Sequence, residues 1–483
     1  MAISPKIIID SFNNGIQQDP TLQLKNGCFL CEGMDIDNEL GCLRVGQQLS
    51  AMDMALGVGG ISALATTNIT WFQGATGTGH LWGAAGAFLT NFDYDVAGKW
   101  ASAYAEPNIN AGDNLINFND RLWWTTNKWL NQYDGAGADG NFNTSAYAFS
   151  AGDAYHPSVI FNGELMIGDG RYVFTLSDTS AKDGMALDLP TDYRIKSMAV
   201  YGNRLLMGTW IDAFTENASL FSWDGSSESY EQYWYLKEPG GVNAMYPYKN
   251  FLVIFAGYAG NIYVFDGANI EKIAQIPNLN SAAGEYAYLL SPYSITEYCG
   301  KLVFGTYSNP YGTQYTADKI WSLERKPNGG WVLSSPHIPS VTRSASNARN
   351  INFLYSGYYN QLYVGYKQAT EPQKIEKINT SYRYVSSSFQ ESLIYEIAPG
   401  MDPVDIKGIE VIAKPLATGN SIVLKYKIDN ASVWTTWGTI TSANQKKICK
   451  GIKGPGKTIQ LRLEFTTTGT DNYTPEVSSI RIY

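Results

Sequence analysis

The 483-residue chain is poor in charged residues, which make up 16% of it, and it contains only three histidines. It has no dense run of Lys or Arg, and no apolar run of the roughly 18 residues that a membrane-spanning helix needs. Its net charge is −9, so we do not expect it to bind nucleic acid through the phosphates. The N-terminal residues reach a charge too early for a signal peptide, which predicts a product made in the cytoplasm without membrane insertion.

The five cysteines are too few and too scattered for a disulfide framework. Cys28, Cys31 and Cys42 are close in sequence, but a structural zinc site takes four ligands, and no histidine or fourth cysteine lies nearby. Cys299 and Cys449 are far away. No βαβ pattern surrounds Cys28 and Cys31, as a thioredoxin-like redox motif would require. We therefore predict reduced structural cysteines, no metal and no cofactor, with a metal or redox role as the alternative.

Glycine and aromatic residues are abundant, with 47 Gly, 33 Tyr and 13 Trp. This composition is typical of many short strands joined by tight turns, because aromatic side chains favour strands and glycine favours turns. Long helices with Glu and Lys faces are not expected at 16% charged residues. The composition predicts an all-β protein.

A short unit recurs along the chain, and it predicts a repeat architecture. The unit has a turn with Asn, Gly or Asp, one variable residue, a leucine, and then a short apolar stretch. Its leucines are Leu81, Leu122, Leu165, Leu205, Leu252, Leu302 and Leu362. An apolar stretch precedes many copies, and a strand ending in an aromatic residue, Asp and Gly often follows, so each period holds three or four antiparallel strands.

Three or four short strands in a period of about 40 to 50 residues are the signature of a β-propeller blade. We predict a β-propeller of about seven blades over residues 51–384, after an N-terminal arm and entry strands over residues 1–50. The alternative is a set of unrelated hairpins in a large sandwich. After about residue 380 the strands alternate with period two, which predicts a small antiparallel β-sandwich over residues 385–483. A linker is expected at residues 379–388, with few contacts across the boundary.

Residues 451–458 match the P-loop pattern, with Lys457 and Thr458 at its end. A P-loop needs a helix N-terminus directly behind its glycines, because the helix completes the phosphate site. Here the following residues alternate as a strand. We predict a hairpin turn at this position, with nucleotide binding as the alternative.

Catalytic patterns are scarce, and we predict no catalytic residues. There is no Gly-x-Ser-x-Gly elbow and no His-Glu-x-x-His, and the histidines, His80, His156 and His337, are far apart in sequence. A propeller glycosidase would need two opposed carboxylates. The repeat aspartates Asp134, Asp224 and Asp266 stand in Asp-Gly turns, which turn chemistry explains. The aromatic residues are expected to pack between blades, and a sugar-binding surface is the alternative.

Two segments resemble β-propeller virion proteins of tailed bacteriophages, such as the tail hub and nozzle proteins of short-tailed phages. Residues 10–16 and 33–46 resemble the family's opening, which ends in a Gly-x-Leu-x-x-Arg-x-Gly turn with Arg44 and Gly46 here. Residues 407–411, 423–429, 461–464 and 474–477, with Trp434, are similar to the appended sandwich of such proteins. Asn13 and Asn14 depart from the usual first glycines.

The resemblance implies a structural virion protein of a phage tail or head-tail neck, without enzymatic activity. It implies a homo-oligomeric ring, with a hexamer favoured, around the DNA channel. Its partners would be other tail, adaptor or portal proteins, and DNA would pass through without specific binding. In this setting the acidic, cysteine-bearing stretch from Asn26 to Gly46 is expected to form a strand and turn leading into the first blade. The alternative function is a host-surface glycan-binding protein at a tail tip.

Overall fold

The computed structural model describes most of the chain in separate ranges. They are residues 6–12, 14–17, 21, 27–36, 42–51, 66–73, 79–85, 88–93, 99–105, 114–126, 128–135, 142–150, 155–177, 184–211, 218–277, 288–308, 319–339, 349–357, 361–368, 374–378, 386–400, 402–441, 447–450, 455–468 and 474–483. Over these ranges the protein is all-β, and none of them forms a helix long and apolar enough to cross a membrane.

The strands are as follows. The first fifteen are β1 (Ile7–Ile9), β2 (Cys28–Glu32), β3 (Met34–Asp35), β4 (Leu43–Val45), β5 (Leu49–Ala51), β6 (Thr66–Gln73), β7 (Gly79–Ala85), β8 (Phe88–Asp93), β9 (Lys99–Ala105), β10 (Asn114–Phe118), β11 (Arg121–Thr125), β12 (Trp129–Tyr133), β13 (Phe142–Ala148), β14 (Ser158–Phe161) and β15 (Glu164–Asp169). The next are β16 (Tyr172–Leu176), β17 (Gly184–Asp188), β18 (Arg194–Tyr201), β19 (Arg204–Trp210), β20 (Ala218–Trp223), β21 (Gln232–Leu236), β22 (Val242–Tyr248), β23 (Phe251–Ala256), β24 (Asn261–Phe265), β25 (Ile270–Gln275), β26 (Tyr288–Leu289), β27 (Ile295–Tyr298), β28 (Lys301–Gly305), β29 (Tyr307–Ser308) and β30 (Ile320–Arg325). The last are β31 (Trp331–His337), β32 (Arg349–Ser356), β33 (Leu362–Gln368), β34 (Lys374–Ile378), β35 (Ser387–Ser392), β36 (Tyr395–Glu396), β37 (Val404–Asp405), β38 (Ile409–Ala413), β39 (Ser421–Ile428), β40 (Thr435–Ile440), β41 (Lys447–Lys450), β42 (Pro455–Gly456), β43 (Thr458–Thr466) and β44 (Glu476–Ile482).

The chain divides into two compact units. Unit 1 contains Met1–Ser50, Lys319–Thr342 and Ile378–Tyr483, and unit 2 contains Ala51–Asp318 and Arg343–Lys377. This division differs from the expected one, because the N-terminal segment and residues 319–342 lie in the same unit as the C-terminal strands.

Unit 2 consists of small antiparallel sheets whose strands follow one another in sequence. Five of them have four strands, in the orders β6-β7-β8-β9, β10-β11-β12-β13, β14-β15-β16-β17, β18-β19-β20-β21 and β22-β23-β24-β25. The hairpin β27-β28 and the strands β32-β33-β34 continue the series. The predicted hairpins are confirmed in all seven copies, and each repeat leucine is 0% exposed in the second strand of its sheet.

Apolar side chains fill the space between successive sheets of unit 2. One core cluster joins β6-β9 to β10-β13 through Phe72, Trp82 and Tyr133, so aromatic residues pack between sheets as predicted. Another joins the last sheet back to the first through Phe353 and Leu81. The first strands of the sheets contact one another in the cyclic order β6, β10, β14, β18, β22, β27, β32 and again β6. Unit 2 is thus a β-propeller, as such radially packed small sheets indicate.

Unit 1 has two larger antiparallel sheets. In one, the strand order is β30-β31-β3-β4-β44-β38-β41, with β1 also paired to β44. In the other it is β2-β35-β43-β39-β40, with β36 paired to β43. The period-two prediction is confirmed in β43, where Ile459, Leu461, Leu463 and Phe465 are buried and the residues between them are not. The expected linker lies largely outside the described residues.

Strand pairs within unit 1 cross the expected boundaries at residues 50 and 384. Strand β2 pairs with β35, with Cys31 opposite Gln390, and β3 pairs with β31, with Met34 opposite Ser335. The prediction that the cysteine-bearing stretch leads into the first blade is therefore corrected. This stretch forms strands of unit 1, because its pairing partners are C-terminal strands and β31.

Candidate functional site

The N-terminal segment around Arg44 and the C-terminal strand with Val477 meet in unit 1. Strand β4 pairs with β44, with Leu43 opposite Val477 and Arg44 opposite Glu476. The Thr474 hydroxyl accepts a hydrogen bond from the Val45 amide at 3.1 Å. These contacts join the two ends of the sequence.

Arg44 and Gly46 hold the turn of the N-terminal segment, as predicted. The Arg44 guanidinium lies 3.4 Å from the Asp35 carboxylate, and the Gly46 amide donates to the Gly33 carbonyl at 2.8 Å. Gly33 has φ +69°, a conformation that glycine adopts without a steric penalty. A Cβ on Gly46 would overlap the Pro336 carbonyl oxygen. Only glycine fits at this close approach of two backbones.

The structure describes the side chains of four of the five cysteines, and none of these four forms a disulfide. Cys28 and Cys31 are buried in β2, Cys42 is half-buried, and Cys299 is exposed at the β27-β28 turn. Within the described ranges no three His, Cys, Asp or Glu residues are grouped as metal ligands would be. The side chain of Cys449 lies outside the described residues.

The P-loop match ends in a strand, as predicted, and the amides of its last two residues are bound by a carboxylate. Thr458 begins β43. One Asp429 oxygen accepts hydrogen bonds from the Lys457 amide at 2.7 Å and the Thr458 amide at 2.9 Å. These two bonds hold the pKa of Asp429 below its usual range. A phosphate would have to displace this carboxylate from amides that a P-loop keeps free.

We expect Asp429→Ala to lower the free energy of unfolding by about 1–2 kcal/mol. The change removes two charge-assisted hydrogen bonds and places alanine at φ +49°. Asp429→Asn is the matched control and should cost less, because asparagine tolerates this φ and keeps an acceptor oxygen. Urea unfolding measures both. Saturable ATP binding that Lys457→Ala abolishes would contradict our interpretation of the turn.

The repeat aspartates serve turns where their bonds are described. Asp224 Oδ1 accepts hydrogen bonds from the Ser226 and Ser227 amides at 2.7 and 2.8 Å. Asp266 Oδ1 accepts them from Ala268 and Asn269 at 2.9 and 2.8 Å. These backbone bonds lower the pKa of both carboxyls. Such carboxylates cap Asx turns, as the Asp-Gly pattern predicts.

The described histidines take part in packing. His156 is 2% exposed, its ring stacks on Phe149 at 3.9 Å, and its Nδ1 lies 3.1 Å from the Gly168 carbonyl oxygen. His337 Nδ1 lies 3.3 Å from the Gln47 carbonyl oxygen in unit 1. The side chain of His80 lies outside the described residues.

A polar cluster lies at the end of unit 2 where the first strand of each sheet begins. We call this end the entry end. Lys196 of β18 is 7% exposed, and its amine donates to Asn243 Oδ1 at 2.7 Å and to the Gly240 carbonyl at 3.2 Å. The ring of Tyr155 lies 5.1 Å from this amine. Burial lowers the pKa of Lys196 to about 8, because the charged form loses hydration.

A buried acid lies in the same cluster. Glu238 is 7% exposed and accepts hydrogen bonds from Asn261 Nδ2 at 2.6 Å and from the Tyr263 hydroxyl. Burial, together with Glu238, raises the pKa of Tyr263. The Asn243 amide nitrogen donates to the Gly257 carbonyl at 2.8 Å, so both ends of the Asn243 amide are bonded. Sequence reasoning missed these residues, because none of them belongs to a motif.

Three half-buried aromatic side chains flank the cluster. Tyr258 packs on Gly240, and Trp210 packs on Gly241. A side chain in place of either glycine would collide with the aromatic residue beside it. The ring of Tyr155 lies 6.5 Å from that of Trp210, at 85° to it. The one local sequence signal is the glycine pair between β21 and β22, which indicates a turn and no more.

No protein-family model and no curated protein matches the chain. Solved structures resemble it at low identity. BBS1N, in a complex with ARL6DN, is 12% identical with a TM-score of 0.40, and the match covers 70% of this chain and 99% of that chain. The N-terminal domain of Nup159 is 9% identical with a TM-score of 0.41, covering 72% and 99%. A glycoside hydrolase family 43 arabinoxylan arabinofuranohydrolase from Bacillus subtilis is 10% identical with a TM-score of 0.30, covering 87% and 96%. None of these likenesses bears on function.

Proposed function

We propose that the protein is a structural virion protein of a phage tail or head-tail neck, assembled as a homo-oligomeric ring around the DNA channel. The observation that carries the proposal is the junction of β4 with β44. The N-terminal and C-terminal segments that resemble phage virion proteins form one hydrogen-bonded structure there, at Leu43 and Val477 and at Val45 and Thr474. Two matching segments that build one element are better support than two isolated short motifs.

The architecture that we propose is a seven-bladed propeller with a small β-sandwich. The cyclic contacts of β6, β10, β14, β18, β22, β27 and β32 support seven blades. The alternating burial in β43 supports a sheet with one face in a core. A closed propeller has few free strand edges, so its sides can make specific heterologous contacts that close into a ring.

A role without catalysis agrees with the bonding of the entry-end cluster. There the buried amine of Lys196 is held by Asn243, and the buried carboxylate of Glu238 by Asn261 and Tyr263. A glycosidase needs two opposed carboxylates at its bond-breaking site, and a general base needs access to its substrate. The cluster holds one amine and one carboxylate, each bonded to its own asparagine amide, which suits a structural role.

The partners that we propose are further copies of the chain, with six favoured, and neighbouring tail, adaptor or portal proteins. The net charge of −9 suits a channel wall that DNA slides past without binding. The protein would act in the virion after synthesis in the host cytoplasm.

The test is the oligomeric state of the purified full chain. We expect ring particles in negative stain, and a native mass about six times the chain's 53.2 kDa. Double-stranded DNA added at physiological salt should leave the mass unchanged. A chain that stays monomeric at all concentrations, or that binds DNA tightly with a steep salt dependence, would contradict the proposal.

A further inference from the structure

A small recess opens at the entry end of unit 2, beside the polar cluster. Its polar lining side chains are those of Asn243, Asn261 and Thr306, and apolar side chains complete the lining with Gly257 and Gly260 of the turn between β23 and β24. Its volume of ≈ 10 Å³ is the space for one water-sized group. The recess belongs to unit 2, whereas the β4-β44 junction on which the proposed function rests belongs to unit 1.

The recess contains an acceptor that needs a donor. Asn261 is 7% exposed, and its Nδ2 donates to the Glu238 carboxylate. A carboxylate accepts hydrogen bonds, so this contact fixes which end of the amide is nitrogen. Asn261 Oδ1 therefore points away from Glu238, and it is buried with no hydrogen-bond partner among the described residues. A buried acceptor in this state calls for an O–H or N–H donor from outside the chain.

The charges around the recess favour a neutral group. Lys196 and Glu238 are each bound to one of the two asparagines that line it, Lys196 to Asn243 and Glu238 to Asn261. The opposite charges of the amine and the carboxylate offset each other, so the recess offers no net attraction to a cation or to an anion. A hydroxyl is neutral, donates one hydrogen bond and has the size of water.

Aromatic residues lie next to the residues that line the recess. Tyr258 lies in the turn that carries the lining residues Gly257 and Gly260, and its ring packs on Gly240. Trp210 packs on the adjoining Gly241, and the ring of Tyr155 lies 6.5 Å from that of Trp210. All three are half-buried, so each leaves part of its side chain accessible. A few placed polar groups beside aromatic surface are typical of small-ligand sites.

We propose that this recess binds a neutral carbohydrate, with one sugar hydroxyl inserted as donor to Asn261 Oδ1 and the sugar ring against Tyr258. The hydroxyl takes the place of a water molecule, which costs little because it reproduces the same hydrogen bond. The binding activity goes beyond the structural role in the ring and does not depend on it.

The test uses saturation-transfer NMR on the full chain with methyl glycosides of glucose, galactose, mannose and N-acetylglucosamine. We expect saturation transfer to at least one of them. Asn261→Leu removes the acceptor, and Tyr258→Ala removes the ring, so each should weaken binding about tenfold. Tyr233→Ala is the matched control, because it removes an exposed tyrosine on the outer strand β21 and should leave binding unchanged.

Thermal unfolding shows whether each variant folds, and Tyr258→Ala decides the case if Asn261→Leu does not. No saturation transfer from the wild type to any of the glycosides would mean that the recess holds water only, and would overturn the proposal. Binding that neither variant weakens would also overturn it, because the sugar would then bind elsewhere. Ring assembly, measured on the same samples, reports separately on the proposed function.

Discussion

A chain that ends at residue 384 is expected to fail to complete unit 1 and to aggregate on expression. The missing residues include β35, which pairs with β2, and β44, which pairs with both β1 and β4. Without them the N-terminal strands have unpaired edges and exposed apolar faces, which are templates for association with other chains. The soluble fraction and limited proteolysis within residues 1–50 measure the effect.

Supplying residues 385–483 as a separate chain in the same cells is the control for this truncation. Strand pairing needs no covalent link, so we expect co-expression to restore solubility and to protect β2 and β4 from protease. A soluble truncated chain that resists protease in β2 and β4 would show that the C-terminal strands are dispensable for them.

Gly46→Ala is expected to destabilise unit 1 by about 1–3 kcal/mol, the usual cost of overpacking a close contact. The added Cβ would overlap the Pro336 carbonyl oxygen, which is backbone and cannot rotate away. We expect a lower urea midpoint and faster hydrogen exchange in peptides that contain β4 and β44.

The matched control is Gly438→Ala in β40 of the same unit. No atom lies within 4 Å of the position that its Cβ would occupy, so we expect a change within about 0.5 kcal/mol. Equal effects of the two substitutions would show that the approach of Gly46 to Pro336 does not constrain the fold.

The hairpins of unit 2 could be predicted from the sequence, because the residues that determine each hairpin lie close together in the chain. Turn residues before five of the repeat leucines adopt positive φ, as Asn162 and Gly163 do before Leu165 and Gly202 does before Leu205. The strands on either side then pair with their sequence neighbours. Turn chemistry and apolar pattern act over a few neighbouring positions, so a short window contains both.

The set of strands that forms unit 1 could not be predicted, because its strand pairs join residues that are far apart in sequence. Met34 pairs with Ser335, and Leu43 with Val477. Which strand a given strand pairs with depends on the final packing, and the residues of the strand carry no pattern that identifies this partner. The entry-end cluster was missed for the same reason. Lys196, Asn243 and Asn261 come from three strands, and each is an ordinary polar residue in its own segment.

The pairing of β4 with β44 also sets an order of events during synthesis. About 430 residues separate the two strands, which at about 5–20 residues per second takes the ribosome roughly 20–90 s. The N-terminal strands leave the ribosome first and wait for partners made last, while unit 2 can close as its sheets emerge. A factor that shields residues 1–50 during this interval should raise the yield of folded protein, whereas one that acts on the finished chain should not.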